Sequence, residues 1–160
     1  MAVIGCSWSA NDLKTHSVVF ATRGANPVAP ITHLNAMTDS EAMQFAQSWI
    51  NAFNGKDADA VLRHFTEQAT FISPKAPSFG KSSTLNSRQE LADYWQTALN
   101  ATQSIRFSLD RVVNDPAGNS IVIVYIAEID GNRSRAAEMY QFDDSSKVIR
   151  GEAMYGAAVL

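Results

Sequence analysis

The second half of the chain contains four consecutive segments with the composition and turn signals of β-strands. They lie at approximately residues 104–114, 120–130, 133–142 and 147–156. Short turns separate them, and Gly131-Asn132 has the residue types of a two-residue hairpin turn because both tolerate positive φ. Strands joined by such short turns pair antiparallel. The C-terminal half therefore predicts an antiparallel sheet.

A two-residue turn at Gly131-Asn132 also predicts the register of the central hairpin. The predicted pairs are Tyr125 with Glu138, Ile123 with Tyr140, Glu128 with Arg135 and Asp130 with Arg133. Glu138 then lies on a strand face that is otherwise apolar, and a buried acid is costly unless it is hydrogen-bonded or protonated. We expect Glu138 to mark a ligand pocket or an internal polar network. Tyr125 is its predicted hydrogen-bond partner, in a pair that could also be purely structural.

The opposite face of the same hairpin is apolar in its centre. Its apolar residues are Val122, Val124, Ile126 and Met139. A sheet that is apolar on both faces is expected to be covered on both. We predict helices on one face and a second copy of the chain on the other, which makes a homodimer the expected assembly.

Three helices are predicted before the strands. Thr38 and Glu41 have the spacing of a capping box, Asp57 can cap a shorter second helix, and a third helix is expected from Ser87 to Asn100. The apolar stripe of the first helix consists of Met43, Ala46, Trp49, Ile50 and Phe53. A short strand at 69–73 and a Ser/Gly/Pro-rich loop at 75–86 lie between the second and third helices. The predicted class is α+β, with three N-terminal helices on a curved, mainly antiparallel sheet.

The first 36 residues differ from the rest in composition. We expect residues 1–36 to be a loosely structured extension, with a short strand at Ser17–Ala21, and residues 37–160 to form one domain. Met37 directly precedes the first helix signal and is a candidate initiator. Only five residues precede Cys6 and none is basic, so its lipoprotein-like context is not interpreted as a signal segment.

Composition excludes several classes of function. The net charge of −3 comes without a basic cluster, which disfavours nucleic-acid binding. No apolar run approaches the roughly 20 residues of a membrane-spanning helix, so a cytoplasmic protein without membrane contact is expected. The three histidines show no metal-ligand spacing, and there is no glycine-rich phosphate loop. We therefore expect neither a metal nor a cofactor.

The order helix, helix, short strand, helix and four strands resembles the nuclear transport factor 2-like superfamily. The resemblance covers about residues 38–157 and is carried by the segments 49–57, 69–71 and 138–155. It implies a cone-shaped fold that encloses one pocket. The ending at 142–156 resembles SnoaL-like proteins of largely unassigned function and the steroid Δ5-3-ketoisomerases.

The ketosteroid isomerase resemblance can be followed position by position. Glu138 falls where that family has a protonated acid that donates a hydrogen bond to the developing enolate oxygen. Trp49 stands at the position of the tyrosine donor, and Ser73 at that of the aspartate base. Because a serine does not serve as the base without help, steroid isomerisation by that mechanism is not expected.

Other residues have both a functional and a structural interpretation. His64 could face the pocket mouth or simply lie at a helix C-terminus, where its charge is favourable. Glu152 could lie beside Glu138 as a carboxylate pair or face solvent, because a one-residue slip reverses its face. Tyr94 and Trp95 could line the cavity or fill the core.

Two classes of function remain. The first is a cofactor-independent isomerase, lyase, cyclase or hydrolase acting on a small apolar molecule, with Glu138 as acid or hydrogen-bond donor. The second is a non-catalytic ligand-binding or dimeric interaction module. The candidate catalytic residues are Glu138, Tyr125 and His64, and the candidate ligand-binding residues are Trp49, Phe53, Ser73, Tyr94, Trp95, Tyr140 and Glu152.

Overall fold

The computed structural model describes residues 36–159. The expected extension at 1–36, including Ser17–Ala21, therefore lies almost entirely outside the described residues. Within these residues there are three α-helices: α1 (Asp39–Asn54), α2 (Ala58–Leu62) and α3 (Arg88–Ala101). The same part of the chain contains six strands: β1 (Phe65–Ile72), β2 (Thr84–Leu85), β3 (Ile105–Asp115), β4 (Ser120–Ile129), β5 (Asn132–Phe142) and β6 (Val148–Ala158).

The strands form one curved sheet in the order β2-β1-β6-β5-β4-β3. Every neighbouring pair is antiparallel except β1 with β6. The helices pack against this sheet, so the predicted α+β class is confirmed. Within residues 36–159, no helix combines the length and apolar character needed to cross a membrane.

The predicted helix starts are confirmed by their caps. The backbone N–H of Thr38 donates to the Glu41 carboxylate at 2.8 Å, and the N–H of Glu41 donates to the Thr38 hydroxyl at 3.3 Å. Asp57 and Ser87 accept in the same way at the starts of α2 and α3. One member of the predicted α1 stripe was wrong: Met43 is 47% exposed, and Phe45 is buried instead.

The short strand predicted at 69–73 is longer than expected and begins at Phe65, directly after the turn that follows α2. The loop at 75–86 contains a 3-10 turn at Ala76–Phe79 and the short strand β2. Backbone hydrogen bonds hold this loop, including the N–H of Ser73 to the carbonyl of Ser83 at 2.9 Å. The loop is therefore a fixed part of the fold.

The predicted β4–β5 turn was wrong by one residue. Asp130 and Gly131 have φ values of 49° and 80° and form the turn, so Ile129 pairs with Asn132. The N–H of Ser104 donates to the Asp130 carboxylate at 2.7 Å, which fixes Asp130 outside the ladder. Each residue of β5 therefore pairs two positions earlier on β4 than expected.

The corrected hairpin pairs are Ile123 with Glu138, Ile121 with Tyr140, Tyr125 with Ala136, Glu128 with Arg133 and Ile126 with Arg135. A shift of two residues keeps every side chain on its predicted face. Glu138 is accordingly buried, at 5% exposure, on the face that carries the helices. Arg135 forms its ion pair with Asp110 instead of Glu128.

Candidate functional site

A cavity of about 160 Å³ lies between the helices and the covered face of the sheet. Its walls are largely aromatic, with rings from α1, α3, β1 and β3. These rings are Phe53, Phe71, Trp95 and Phe107. The polar residues among the described ones that line the cavity are Lys75, Tyr94, Thr102, Tyr125, Glu138 and Tyr155.

Glu138 accepts two hydrogen bonds from tyrosines. The Tyr125 hydroxyl donates to Oε1 at 3.2 Å, and the Tyr140 hydroxyl donates to Oε2. Tyr140 lies two residues along the same strand, so its side chain points to the same face. Tyr125 is a diagonal neighbour on β4, which is still within reach of a long side chain. The predicted partnership of Tyr125 and Glu138 is therefore confirmed, although the two are not directly opposite.

Burial raises the pKa of Glu138 to about 7, and the hydrogen bonds from Tyr140 and Tyr125 limit this rise because they favour the carboxylate. Burial and the neighbouring Glu138 raise the pKa values of Tyr125 and Tyr140 well above their usual range. Both hydroxyls therefore stay protonated and act as donors at neutral pH. Glu138 is then a carboxyl group that changes protonation near neutrality inside the protein.

A second polar cluster, the Ser73–Tyr94–Tyr155 cluster, borders the same cavity. The hydroxyls of Ser73 and Tyr94 are 3.0 Å apart, and Tyr155 interacts with both. Burial is the main cause that raises the pKa values of Tyr94 and Tyr155, and the charge of Glu138 adds to it. These hydroxyls therefore remain neutral and can offer hydrogen bonds near Glu138.

Trp49 is completely buried beside the Glu138 network but is not among the cavity-lining residues. Its ring packs edge-on against Tyr125, with centroids 5.1 Å apart. Its indole N–H lies near the Tyr140 hydroxyl and slightly lowers the pKa of Tyr140. The N–H has no acceptor at hydrogen-bonding geometry among the described residues.

His64, a candidate catalytic residue, lies away from the cavity. His64 is half-buried against Phe45, with ring centroids 4.9 Å apart, and does not line the cavity. Burial, together with Lys147 and Arg63, lowers its pKa. The interpretation that places His64 at the pocket mouth was therefore wrong.

Glu152 is on the opposite face of the sheet from Glu138, so the carboxylate pair does not form. The turn does place Phe142 opposite Val148, the even-to-even register that would have aligned Glu152 with Glu138. A bulge at Ile149 then adds one residue to β6, and Glu152 pairs with Met139. One extra residue reverses the face of every following side chain.

The same bulge turns Tyr155 inward, which the sequence interpretation missed. Tyr155 pairs with Ala136, on the face that carries Glu138. Tyr155 would have been predicted to face inward if the β5–β6 register had been known, but a bulge leaves no clear signal in the local sequence. Lys75 was also missed, because its loop gave no periodicity from which a direction could be inferred.

Within residues 36–159, His, Cys, Asp and Glu side chains form no group of three placed to hold a metal ion. Among the described residues, those that line the cavity include one carboxyl group, Glu138, several neutral tyrosine hydroxyls and one lysine.

Comparison with known proteins gives the family. A family model described as a SnoaL-like domain matches residues 46–150, which is more than half of the chain. No curated protein matches the chain significantly.

Solved structures with the same fold agree with this match. A SnoaL-like protein of unknown function from Burkholderia thailandensis is 27% identical, with a TM-score of 0.67 over 76% of this chain and 99% of that one. A protein of cystatin-like fold from Methylobium petroleophilum is 18% identical, with a TM-score of 0.63 over 78% and 82% of the two chains. SalBIII, an epoxide hydrolase/cyclase-like enzyme of pyran ring formation in salinomycin, is 18% identical, with a TM-score of 0.59 over 73% and 92%. The chain belongs to the SnoaL-like family, and its fold is nuclear transport factor 2-like.

Proposed function

We propose that this protein is a cofactor-independent enzyme that binds a small apolar molecule in the cavity and donates a proton, or a hydrogen bond, from Glu138 to an oxygen atom of that molecule. One observation carries the proposal: Glu138 is buried, lines a cavity with aromatic walls, and has a pKa of about 7. A carboxyl group is most effective as a general acid or base when its pKa is near the working pH.

The two tyrosines give Glu138 a stable state after it has donated its proton. Tyr125 and Tyr140 each donate to one carboxylate oxygen. Hydrogen bonds to an ionised acceptor are the stronger kind, so they stabilise the carboxylate more than the acid. The proton that Glu138 carries below its pKa is not needed for these bonds and is free to point into the cavity.

The polar groups suit substrates whose oxygen gains negative charge or accepts a proton during reaction. Carbonyl compounds and epoxides both meet this description, and isomerase, lyase, cyclase and hydrolase reactions are all compatible with it. SalBIII, described as epoxide hydrolase/cyclase-like, shares the fold, which supports the inclusion of epoxides. The neutral Tyr94 and Tyr155 hydroxyls offer further donors at the cavity wall.

A second candidate function is ligand binding without catalysis. Ser73 favours it, because the resemblance to ketosteroid isomerases places their base at this position. The Ser73 hydroxyl is fully buried and bonded to Tyr94, so it supplies no proton acceptor comparable to a carboxylate. The catalytic and the non-catalytic function require the same kind of ligand in the cavity. Only the catalytic function requires that the ligand be converted to a product.

Binding of acetophenone, a small aromatic ketone, tests the hydrogen bond from Glu138. Its oxygen only accepts, so affinity should be highest when Glu138 is protonated and should fall as the pH rises through about 7. The fall should approach about tenfold per pH unit above the pKa if only the protonated form binds. Titration calorimetry between pH 5.5 and 8.5 measures this dependence.

Two variants complete the test. Glu138→Gln should bind acetophenone with no pH dependence, and Glu152→Gln, on the other face of the sheet, should behave as wild type. Equal affinity at all pH values in the wild-type protein would overturn the role of Glu138. Conversion of acetophenone-like ketones or of styrene oxide by wild type, and not by Glu138→Gln, would support catalysis. A pH-dependent affinity without conversion of either probe would assign the cavity to binding alone.

We also propose that the outer face of the sheet joins two copies of the chain. Val113 and Met154 are 52% and 42% exposed on this face. They continue apolar rows across the sheet, since Val113 pairs with Val122, and Met154 with Ala137. Light scattering at micromolar concentration should give twice the mass of one chain. The Val122→Glu variant should give the mass of a single chain. A wild-type monomer would refute the dimer.

A further inference from the structure

Lys75 places a positive charge at the cavity. Among the described residues that line it, Lys75 is the only one that is cationic. Its backbone N–H donates to the Ser73 hydroxyl at 3.3 Å, and the N–H of the buried Ala76 donates to the Ser73 carbonyl at 3.2 Å. The lysine is therefore held on a loop that is anchored to the Ser73–Tyr94–Tyr155 cluster.

The ammonium group of Lys75 lies over an aromatic ring. Its Nζ lies 3.9 Å from the centroid of the Tyr155 ring. Within residues 36–159, no carboxylate or carbonyl oxygen forms an ion pair or hydrogen bond with it. Lys56 and Lys147 differ, because their Nζ atoms donate to backbone carbonyls. Since an ammonium group carries three N–H donors, Lys75 has hydrogen-bonding capacity that the fold leaves unused.

Burial makes an ammonium group without a charged partner less stable at this position. Lys75 is half-buried, and the loss of solvent lowers its pKa. A cation that is partly removed from water is destabilised unless an opposite charge lies near it. Glu138 is buried deeper and is already bonded to two tyrosines. An anion in the cavity next to Lys75 would supply the missing partner.

We infer that the ligand of this cavity is an apolar molecule with an anionic end, such as a carboxylate, that pairs with Lys75. The inference rests on the proposed function and deepens it by naming the charge class and the orientation of the ligand. The anionic end lies at the half-buried Lys75. The neutral oxygen function lies at Glu138, whose carboxylate form would repel a second anion.

Paired acids and amides test this assignment. The probes are para-hydroxybenzoate, para-hydroxyphenylacetate and para-hydroxyphenylpropanoate, each compared with its neutral primary amide by titration calorimetry at neutral pH. The series varies the distance between the phenol oxygen and the anionic group. At least one acid should bind roughly tenfold more tightly than its amide, since hydrogen bonds between charged groups are the stronger kind.

Three variants locate the source of the preference. Lys75→Met, which keeps most of the length of the side chain and removes its charge, should reduce the acid-to-amide ratio to about one and leave amide affinity within about twofold. Lys75→Arg should keep part of the preference. Lys81→Met is the matched control, because Lys81 is on the same loop and does not line the cavity.

The outcomes separate this inference from the proposed function. Equal binding of acid and amide, or an acid preference that survives in Lys75→Met, overturns the inference and leaves the proposed function standing. The same holds if acetophenone binds and none of the six probes does. If neither acetophenone nor any probe binds, the proposed function fails and the inference fails with it.

Discussion

Replacing Glu138 by glutamine removes a titrating proton from the protein interior and keeps the size of the side chain. In the unfolded chain the carboxyl group has an ordinary pKa of 4.5, whereas in the folded protein its pKa is about 7. Below pH 4.5 the carboxyl group is protonated in both the folded and the unfolded state, so its titration does not change the free energy of unfolding. Between these two values only the unfolded chain loses its proton, so stability falls as the pH rises.

The size of this loss follows from the two pKa values. At about 1.4 kcal/mol for each pKa unit, the rise from 4.5 to about 7 removes about 3 kcal/mol of unfolding free energy by pH 8. Glutamine does not titrate. The stability of Glu138→Gln relative to wild type should therefore increase by about 3 kcal/mol between pH 4.5 and pH 8.

Urea unfolding followed by tryptophan fluorescence measures this difference, because Trp49 and Trp95 are buried in the folded protein. His64, whose pKa is lowered, titrates in both proteins and cancels in the comparison. Glu152→Gln serves as the control and should track wild type. Parallel pH profiles for wild type and Glu138→Gln would refute the claim that this acid is buried in its charged form at high pH.

Three further substitutions have defined outcomes. Gly151→Ala would place a Cβ 2.6 Å from a Phe71 ring carbon and 2.9 Å from a Tyr140 ring carbon. Urea unfolding should therefore show a loss of roughly 1–3 kcal/mol of unfolding free energy. An unchanged stability would mean that the rings move to make room and would contradict tight packing at this position. Asn54→Ala removes two hydrogen bonds to the backbone of Phe107, at 3.0 and 2.6 Å, and should cost about 1–3 kcal/mol in the same measurement; wild-type stability would contradict a structural role for this link. Tyr140→Phe removes a hydrogen bond that lowers the pKa of the buried Glu138 carboxyl group. The pH-dependent loss of unfolding free energy should therefore continue to a higher pH than in wild type. A loss that ends at the same or a lower pH would contradict the network.

The parts of the fold that depend on neighbouring residues could be predicted from the sequence. Thr38 and Asp57 cap the first two helices as expected, because a cap requires only a side chain and the next turn of backbone. The third helix begins at Arg88, one residue after the predicted start at Ser87, which is its cap. The burial of Glu138 could also be predicted, since strand alternation survives an even shift of register. These predictions needed no knowledge of distant contacts.

The composition of the cavity could be predicted only in part. Its position on the covered sheet face followed from Glu138, but a bulge at Ile149 decided that Tyr155 faces inward and that Glu152 does not. Such a bulge is set by how β6 fits between two neighbouring strands, which local sequence does not encode. The direction of Lys75 likewise depends on the bonds that its loop makes to Ser73.

Titration of the Glu138 side-chain carboxyl carbon by carbon-13 NMR measures the protonation of this buried acid at the atom concerned. Glutamate labelled at this carbon is incorporated, and the Glu138 signal is assigned by its loss in Glu138→Gln. We expect a midpoint near 7, and a rise in that midpoint when acetophenone is bound, because the ligand accepts a hydrogen bond from the protonated form. A midpoint near 4.5 would show an ordinary solvated acid and would contradict both the buried network and the proposed role of Glu138.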